Sequence, residues 1–322
     1  MNSVAVILGT YNGEKYLKPQ IESILKQEGV SVQVFARDDG SKDSTVQILR
    51  SYADKYSNFH LLDNGNTQNK GIRDGFMEAL KWAKSYSTEY DFFAFSDQDD
   101  VWLPKKLNSA IEKIQDSVNK NGAIYYSNKT IVDENLTEKY QENFAESNDF
   151  SNFLFVSHAY GCTMVINRTL ADIACQFVSH YAHFHDDWIH RLAQCLGSDI
   201  VFDKESYILY RQHGDNNCGT WATDDKSLLY LIKRTLSFLK NDNGYNRGGF
   251  AFDILDHYRD RINVDIKEKE LAQKRDEAEK LITKQMEELQ RISGLTTEKA
   301  KEILLKEMDK QLTLEKANLI RE

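Results

Sequence analysis

Three carboxylates stand close together at the end of an apolar stretch in the first third of the chain. The segment that begins at Tyr90 reads YDFFAFSDQDDVW, so that Asp97, Asp99 and Asp100 directly follow an aromatic run. Such a run, cut off by polar residues, predicts a buried central strand that stops at a site. Closely spaced carboxylates repel one another, and Mg²⁺ or Mn²⁺, which accept oxygen ligands, would hold them together. The alternative is a solvated acidic turn that caps a helix starting near Pro104.

Strands and helices alternate regularly before this acidic segment. Apolar runs predict strands at Val4–Leu8, Val32–Ala36, Phe59–Leu62 and Phe92–Phe95, and helical spacing predicts helices over Glu14–Gln27, after Ser44 and over Asn69–Ala83. This alternation predicts βαβ units, a parallel sheet and right-handed crossovers. A further strand at Ala123–Ser127 is expected to make the sheet mixed.

Polar clusters follow three of these strands. They are Thr10-Tyr11-Asn12, Asp38-Asp39 and Asp97-Gln98-Asp99. Ligands of open α/β sheets bind beyond the carboxyl ends of the strands, so the clusters predict a nucleotide-type site. Neither G-x-G-x-x-G after the first strand nor G-x-x-x-x-G-K-[ST] occurs in the sequence, which argues against an NAD enzyme and a P-loop NTPase. A pyrophosphate would then be held largely by a metal on Asp99.

Composition narrows the class of protein. The 322 residues carry a formal net charge of −9, which argues against a general nucleic-acid binder. The four cysteines are widely spaced without a CxxC pair, as expected of reduced thiols in a cytosolic protein. The first residues show no signal peptide and no run is long enough for a transmembrane helix. We therefore expect a cytoplasmic protein.

Four ordered motifs resemble those of family 2 glycosyltransferases, and more narrowly of bacterial rhamnosyltransferases that build rhamnose-containing cell-wall polysaccharides. They read LGTYNGE from Leu8, RDDGS from Arg37, FSDQDDVW from Phe95 and YRQH from Tyr210. The resemblance implies a GT-A fold: a Rossmann-like α/β domain with a mixed, mostly parallel sheet and flanking helices. It also implies an inverting transfer that depends on Mn²⁺ or Mg²⁺.

The resemblance also implies roles for individual residues. Thr10, Tyr11 and Asp38 would hold the nucleotide base, Asp97 the ribose, and Asp99 the metal that bridges the phosphates. The full donor-binding set is expected to comprise Thr10, Tyr11, Asn12, Glu14, Asp38, Asp39, Asn69, Gly71, Arg73, Asp97, Gln98 and Arg211. The expected metal ligands are Asp99, Asp97 and His213. A plain hydrogen bond for His213 and an ion pair for Arg211 are the alternatives.

The resemblance further implies a general base in the segment HFHDDW, which starts at His183. A carboxylate that takes the proton of an acceptor hydroxyl accelerates transfer, typically by about 10²–10⁴-fold. The position directly before Trp188 selects Asp187 as the base, with Asp186 as the weaker choice. The alternative is that both carboxylates cap the helix predicted over Ile189–Leu196.

The composition changes near residue 263. We predict a glycosyltransferase domain over 1–222, a helical extension over 223–263 and an amphipathic or coiled-coil tail over 264–322. The tail's apolar stripe consists of Leu271, Ala278, Ile282, Met286, Leu289 and Ile292. Residues Arg291–Leu305 resemble the segment after the coiled coil of bacterial RNase Y, which suggests a fused appendage for homo-oligomerisation without nuclease activity.

The expected function is transfer of L-rhamnose from dTDP-rhamnose onto a lipid-linked glycan, with peripheral association at the inner face of the membrane. A UDP-hexose or UDP-N-acetylhexosamine transferase is the first alternative. A scaffold that binds nucleotide sugar without catalysis and assembles through the tail is the second.

Overall fold

The computed structural model describes residues 1–62, 69–142, 159–214 and 247–262. Residues Met1–Arg261 form one compact unit, distinct from Ile262–Glu322. The predicted tail over 264–322 and most of the predicted extension over 223–263 lie outside the described residues. In the part of the chain that is described, no helix is long and apolar enough to cross a membrane.

Parallel pairing builds the first half of the sheet. Its strands are β1 (Asn2–Thr10), β2 (Val30–Asp38), β3 (Phe59–Leu61) and β4 (Phe92–Ser96), in the order β3-β2-β1-β4. The connecting helices are α1 (Leu17–Leu25), α2 (Thr45–Lys55) and α3 (Gly71–Tyr86). All three pairings are parallel. The predicted βαβ organisation is therefore confirmed, with element ends that differ by a few residues.

Antiparallel pairing dominates the second half. It contains β5 (Val101–Trp102), β6 (Ala123–Val132), β7 (Glu138–Gln141), β8 (Val165–Asn167) and β9 (Asp199–Arg211). The order continues from β4 as β8-β6-β9-β5, and β7 pairs with β6. Among these pairings only β6 with β9 is parallel. The sheet is mixed, as expected, but its parallel ladders are confined largely to one half.

Strand β9 is continuous although polar residues separate its apolar stretches at Ile200–Phe202 and Tyr207–Tyr210. The intervening polar residues stay in β9, which pairs with β6 on both sides of two register shifts. A bulged ladder accommodates such residues without ending the strand. Strand β9 thus runs unbroken to Arg211, and His213 follows two residues later.

Four further helices occur in the described part of the chain. They are α4 (Lys106–Ile114), α5 (Arg168–Ala174), α6 (His185–Leu196) and α7 (Arg247–Tyr258), with 3₁₀ turns at Gly161–Thr163 and Arg259–Arg261. Every residue of β4 and β6 is buried, as expected for strands covered on both faces.

The sheet register brings the predicted polar clusters to one edge. Val4, Val6 and Leu8 of β1 alternate into the apolar core that α1 and α4 cover. Thr10 is the register partner of Asp38, and Leu8 is the partner of Ser96, the last residue of β4. Three polar loops therefore begin at neighbouring strand ends.

Candidate active site

Gln98 joins two of the loops at this edge. Its side-chain oxygen accepts the Tyr11 main-chain N–H at 2.8 Å, and its amide nitrogen donates to the Tyr11 carbonyl at 2.9 Å. A Cβ on Gly13 would lie 2.2 Å from the Gln98 side-chain oxygen, so this close approach requires glycine. In the structure Gln98 thus holds the loop after β1 against the acidic loop, residues 97–100, which follows β4.

Asp99 and His213 come together from distant parts of the chain. His213 Nε2 lies 2.8 Å from Asp99 Oδ2, and both side chains are largely buried. A carboxylate beside an imidazole nitrogen is a donor set that fits a divalent ion such as Mn²⁺. The structure therefore places two of the three predicted metal ligands side by side.

The third predicted ligand, Asp97, lies in a concentration of negative charge. Burial, together with repulsion from Asp99 and Asp186, raises the pKa of Asp97 to about 7. Carboxylate oxygens of Asp97 and Asp100 and the sulfur of Cys162 all lie within 4.8 Å of one another. Burial also raises the Asp100 pKa well above its ordinary value, and Asp100 Oδ2 has no hydrogen-bond partner among the described residues. A bound divalent cation would relieve this repulsion.

The loop after β1 is held to the loop after β2. Thr10 Oγ1 donates to Asp38 Oδ1 at 2.9 Å, and Asp38 Oδ2 accepts the Gly40 and Ser41 N–H groups. Asn12 Oδ1 accepts the Lys42 N–H at 2.8 Å. These contacts fix Thr10 and Asp38 where the two loops meet, with Thr10 buried.

The Glu14 carboxylate is engaged within the protein, whereas Tyr11 is exposed to solvent. A carboxylate oxygen of Glu14 accepts the Ser44 N–H at 2.9 Å, which commits that group to the loop after β2. Tyr11, in contrast, is 47% exposed. Of the predicted base-binding residues, Tyr11 presents the open aromatic surface that stacking on a nucleobase requires.

Asp39, Asn69 and Gly71 shape the start of α3. Asp39 accepts the N–H groups of Lys70 and Gly71 at 2.8 and 3.0 Å, and Asn69 Oδ1 accepts the Gly71 N–H at 3.0 Å. Gly71 has φ of +75°, which disfavours any side chain even though the space around it is open. Their described contacts anchor the helix start, and all three belong to the donor-binding set expected from the sequence.

The two arginines of the expected donor-binding set donate hydrogen bonds to main-chain carbonyls. Arg73 Nη1 donates to the carbonyls of Ser179, His180 and Ala182 at 3.2, 3.0 and 2.8 Å. Arg211 is buried; its Nε donates to the Asp99 carbonyl at 2.8 Å and its Nη1 to the Glu134 carbonyl. Arg73 therefore secures the loop before α6, and Arg211 secures the acidic loop.

The structure separates the two adjacent carboxylates of the HFHDDW segment. Helix α6 begins at His185 instead of Ile189, so both lie in its first turn. Asp187 forms a buried ion pair with Arg191, with Asp187 Oδ1 2.5 Å from Arg191 Nε. Asp186 Oδ2 accepts the Gly161 N–H at 2.8 Å, and Asp186 lies close enough to Asp97 to raise its pKa. Because neighbouring residues project about 100° apart on a helix, only one of them faces the acidic loop. That residue is Asp186, whereas Asp187, which the sequence favours as the base, pairs with Arg191.

The His185 side chain is buried at the start of α6, directly before these two carboxylates. Its ring stacks on Phe76 with centroids 3.9 Å apart, and neither ring nitrogen has a hydrogen-bond partner among the described residues. Burial lowers the His185 pKa to about 3, so the ring is neutral at physiological pH. A Cβ on Gly161 would approach His185 Nε2 to 2.5 Å, so glycine is needed where the main chain meets α6.

Lys129 is a buried cation that our sequence analysis did not identify. Its Nζ lies 3.3 Å from the Tyr160 ring centroid, 4.0 Å from that of Tyr210 and 3.7 Å from Glu142 Oε2. Its charge lowers the pKa of both Asp97 and Asp186, opposing the effect of burial. A single lysine within the apolar run AIYYSNKTIV was the available signal.

Comparison with known proteins gives two family matches. The model for glycosyl transferase family 2 matches residues 5–173, just over half of the chain, and the model for the RNase Y N-terminal region matches residues 256–322. The second match agrees with the resemblance seen in the tail.

Among curated proteins, the dTDP-rhamnosyl transferase RfbG of Shigella flexneri is 29% identical over 224 residues, 66% of this chain and 73% of that protein. The Escherichia coli UDP-Glc:alpha-D-GlcNAc-diphosphoundecaprenol beta-1,3-glucosyltransferase WfgD is 31% identical over 169 residues, 52% of this chain and 61% of that protein. Among solved structures, S. aureus TarS 1-349 in complex with UDP-GlcNAc aligns with a TM-score of 0.49 and 20% identity, over 81% of this chain and 72% of that one. The chain thus belongs to glycosyltransferase family 2, and its mixed α/β sheet is of the GT-A type.

Proposed function

We propose that this protein is a metal-dependent, inverting glycosyltransferase that moves a sugar from a nucleoside diphosphate onto an acceptor hydroxyl. The observation that carries the proposal is the placement of Asp186 across from the acidic loop, where Asp99 and His213 lie 2.8 Å apart. Asp186 would then serve proton transfer, while Asp97 and Asp99 would serve binding of the metal and the diphosphate.

The metal would be held by Asp99 and His213, with Asp97 beside them. When bound, it would supply positive charge that stabilises the departing diphosphate. Tyr11 offers its exposed ring to the nucleobase, and Thr10 and Asp38 form the wall beside it. These roles account for donor binding without a glycine-rich phosphate loop.

Asp186 would act as the general base. Burial raises its pKa, although the Gly161 N–H and the charge of Lys129 oppose the shift, and a raised pKa makes the carboxylate a stronger proton acceptor. It would take the proton of the acceptor hydroxyl as the oxygen attacks the anomeric carbon. A base without an opposing protein nucleophile implies a single displacement with inversion.

The donor proposal is dTDP-L-rhamnose, supported by the name and 29% identity of the Shigella relative. The Escherichia coli relative supports a UDP-hexose donor instead, and its name includes a lipid diphosphate acceptor. A lipid-linked glycan as acceptor would bring the protein to a membrane surface. The tail that matches the RNase Y N-terminal region would serve self-association.

A donor screen tests the proposal. The purified full chain is incubated with dTDP-rhamnose, UDP-glucose and UDP-N-acetylglucosamine, each with and without Mn²⁺, and nucleoside diphosphate release is measured. We expect Mn²⁺-dependent release from one donor. Binding of donors without release, in the presence of lipid-linked acceptors, would favour the non-catalytic scaffold, and release independent of divalent ions would contradict the metal assignment.

A further inference from the structure

Tyr16 is fixed at the start of α1 by its main chain. It is the residue directly before the helix, and its N–H donates to the Gly13 carbonyl at 3.1 Å. Gly13 is itself anchored, because its N–H donates to Thr45 Oγ1 at 2.7 Å. The Tyr16 side chain therefore projects from a backbone that two loops hold in place.

The Tyr16 ring packs against Arg211, the last residue of β9, and against His213. Its centroid lies 4.8 Å from that of the His213 ring, at an interplanar angle of 33°. On the same ring lies Arg211, with Cζ 4.6 Å from the centroid. The aromatic face thus supports the imidazole whose Nε2 approaches Asp99.

The contacts around the Tyr16 ring link segments that are distant in the sequence. The Tyr16 hydroxyl donates to Glu134 Oε2 at 3.2 Å, and Lys15 Nζ lies 2.7 Å from the same oxygen. Arg211 joins the Glu134 carbonyl to the Asp99 carbonyl. The loop that carries His213, the acidic loop and the turn at Glu134 are consequently held together around Tyr16.

We propose that Tyr16 is a positioning residue that orients His213 for a divalent metal shared with Asp99. The inference rests on the proposed metal-dependent function and names a residue that the motifs assigned no role. An imidazole ring has two side-chain torsions to restrict, and stacking on a fixed aromatic ring restricts them before the metal arrives. The hydroxyl contributes less, because Glu134 is also bound by Lys15.

Removing a residue that orients a metal ligand typically costs about 10–100-fold in metal affinity. We therefore expect Tyr16→Ala to weaken Mn²⁺ binding by roughly tenfold or more. Tyr16→Phe keeps the stacking face and loses one exposed hydrogen bond, so its Mn²⁺ affinity should stay within about tenfold of the wild type, the upper limit for such a bond.

The test is Mn²⁺ titration of the full chain by electron paramagnetic resonance, with saturating dTDP and, separately, with saturating UDP. Wild type, Tyr16→Phe, Tyr16→Ala and His213→Ala are compared, together with the Tyr16→Ala/His213→Ala double variant. If Tyr16 acts through His213, adding Tyr16→Ala to His213→Ala should lower the Mn²⁺ affinity little further. If the two residues act independently, the two losses of Mn²⁺ affinity should multiply. Tyr16→Leu replaces Tyr16→Ala should the smaller side chain prevent folding, as judged by circular dichroism.

The outcomes separate this inference from the function on which it rests. Unchanged Mn²⁺ affinity in Tyr16→Ala or Tyr16→Leu, alongside a loss in His213→Ala, overturns the positioning role. Multiplicative losses in the double variant overturn it as well. Wild-type protein that does not bind Mn²⁺ with either nucleotide overturns the metal-dependent function itself.

Discussion

The Asp186→Asn substitution removes a proton acceptor while keeping the size of the side chain and its capacity to accept the Gly161 N–H. If Asp186 is the base, kcat for transfer should fall by about 10²–10⁴-fold, the usual contribution of general-base catalysis. Donor affinity should hardly change, because the lost interaction belongs to the transition state.

Asp187→Asn is the matched control, since it makes the same chemical change one residue away. Asp187 and Arg191 have side-chain exposures of only 9% and 4%, so losing the charge leaves a buried guanidinium without its carboxylate. Breaking a buried pair costs about 3–5 kcal/mol. The retained hydrogen-bonding capacity of asparagine places this change near the lower value. In a domain of this size, about 3 kcal/mol lowers Tm by roughly 6–12 °C.

The two substitutions should therefore affect different properties, Asp186→Asn the transfer rate and Asp187→Asn the stability. Transfer is measured at saturating donor, at a temperature where thermal denaturation shows both proteins folded. We expect Asp186→Asn to be stable and inactive, and Asp187→Asn to be less stable with kcat within about tenfold of the wild type, well short of base removal. An inactive, stable Asp187→Asn beside an active Asp186→Asn would refute the reasoning from the structure, and activity in both would place the base elsewhere.

Three further changes test the surrounding assignments. Asp99→Asn should abolish Mn²⁺-dependent nucleotide-sugar binding in calorimetry, and undiminished binding would remove Asp99 from the metal site. Lys129→Met should move the acidic limb of the pH–rate profile to higher pH, because the Lys129 charge lowers the Asp186 pKa and the base works only when deprotonated. Lys129→Arg, which keeps the charge, is the control. An acidic limb that stays in place in Lys129→Met would contradict the electrostatic role of Lys129. Truncation after residue 263 should change the molar mass in light scattering while preserving donor hydrolysis, and an unchanged mass would argue against self-association through the tail.

Local sequence patterns were sufficient to predict the parallel half of the fold and the edge where the site lies. Strand periodicity and burial depend on consecutive residues, so β1, β2 and β4 could be located from their apolar runs. Parallel strands then bring their carboxyl ends together whatever the detailed packing. For this reason the sequence alone was sufficient to place Thr10, Asp38 and Asp97 near one another.

Tertiary packing decided which side chains face the cleft. Helix α6 starts at His185, whose ring stacks on Phe76 from more than a hundred residues earlier. With this start, Asp186 lies towards the acidic loop and Asp187 pairs with Arg191. Which carbonyls Arg73 and Arg211 bind depends likewise on loops distant in sequence. A pattern of residue types records hydrophobicity and local geometry, whereas the direction of a polar side chain depends on partners that only the folded chain brings within reach.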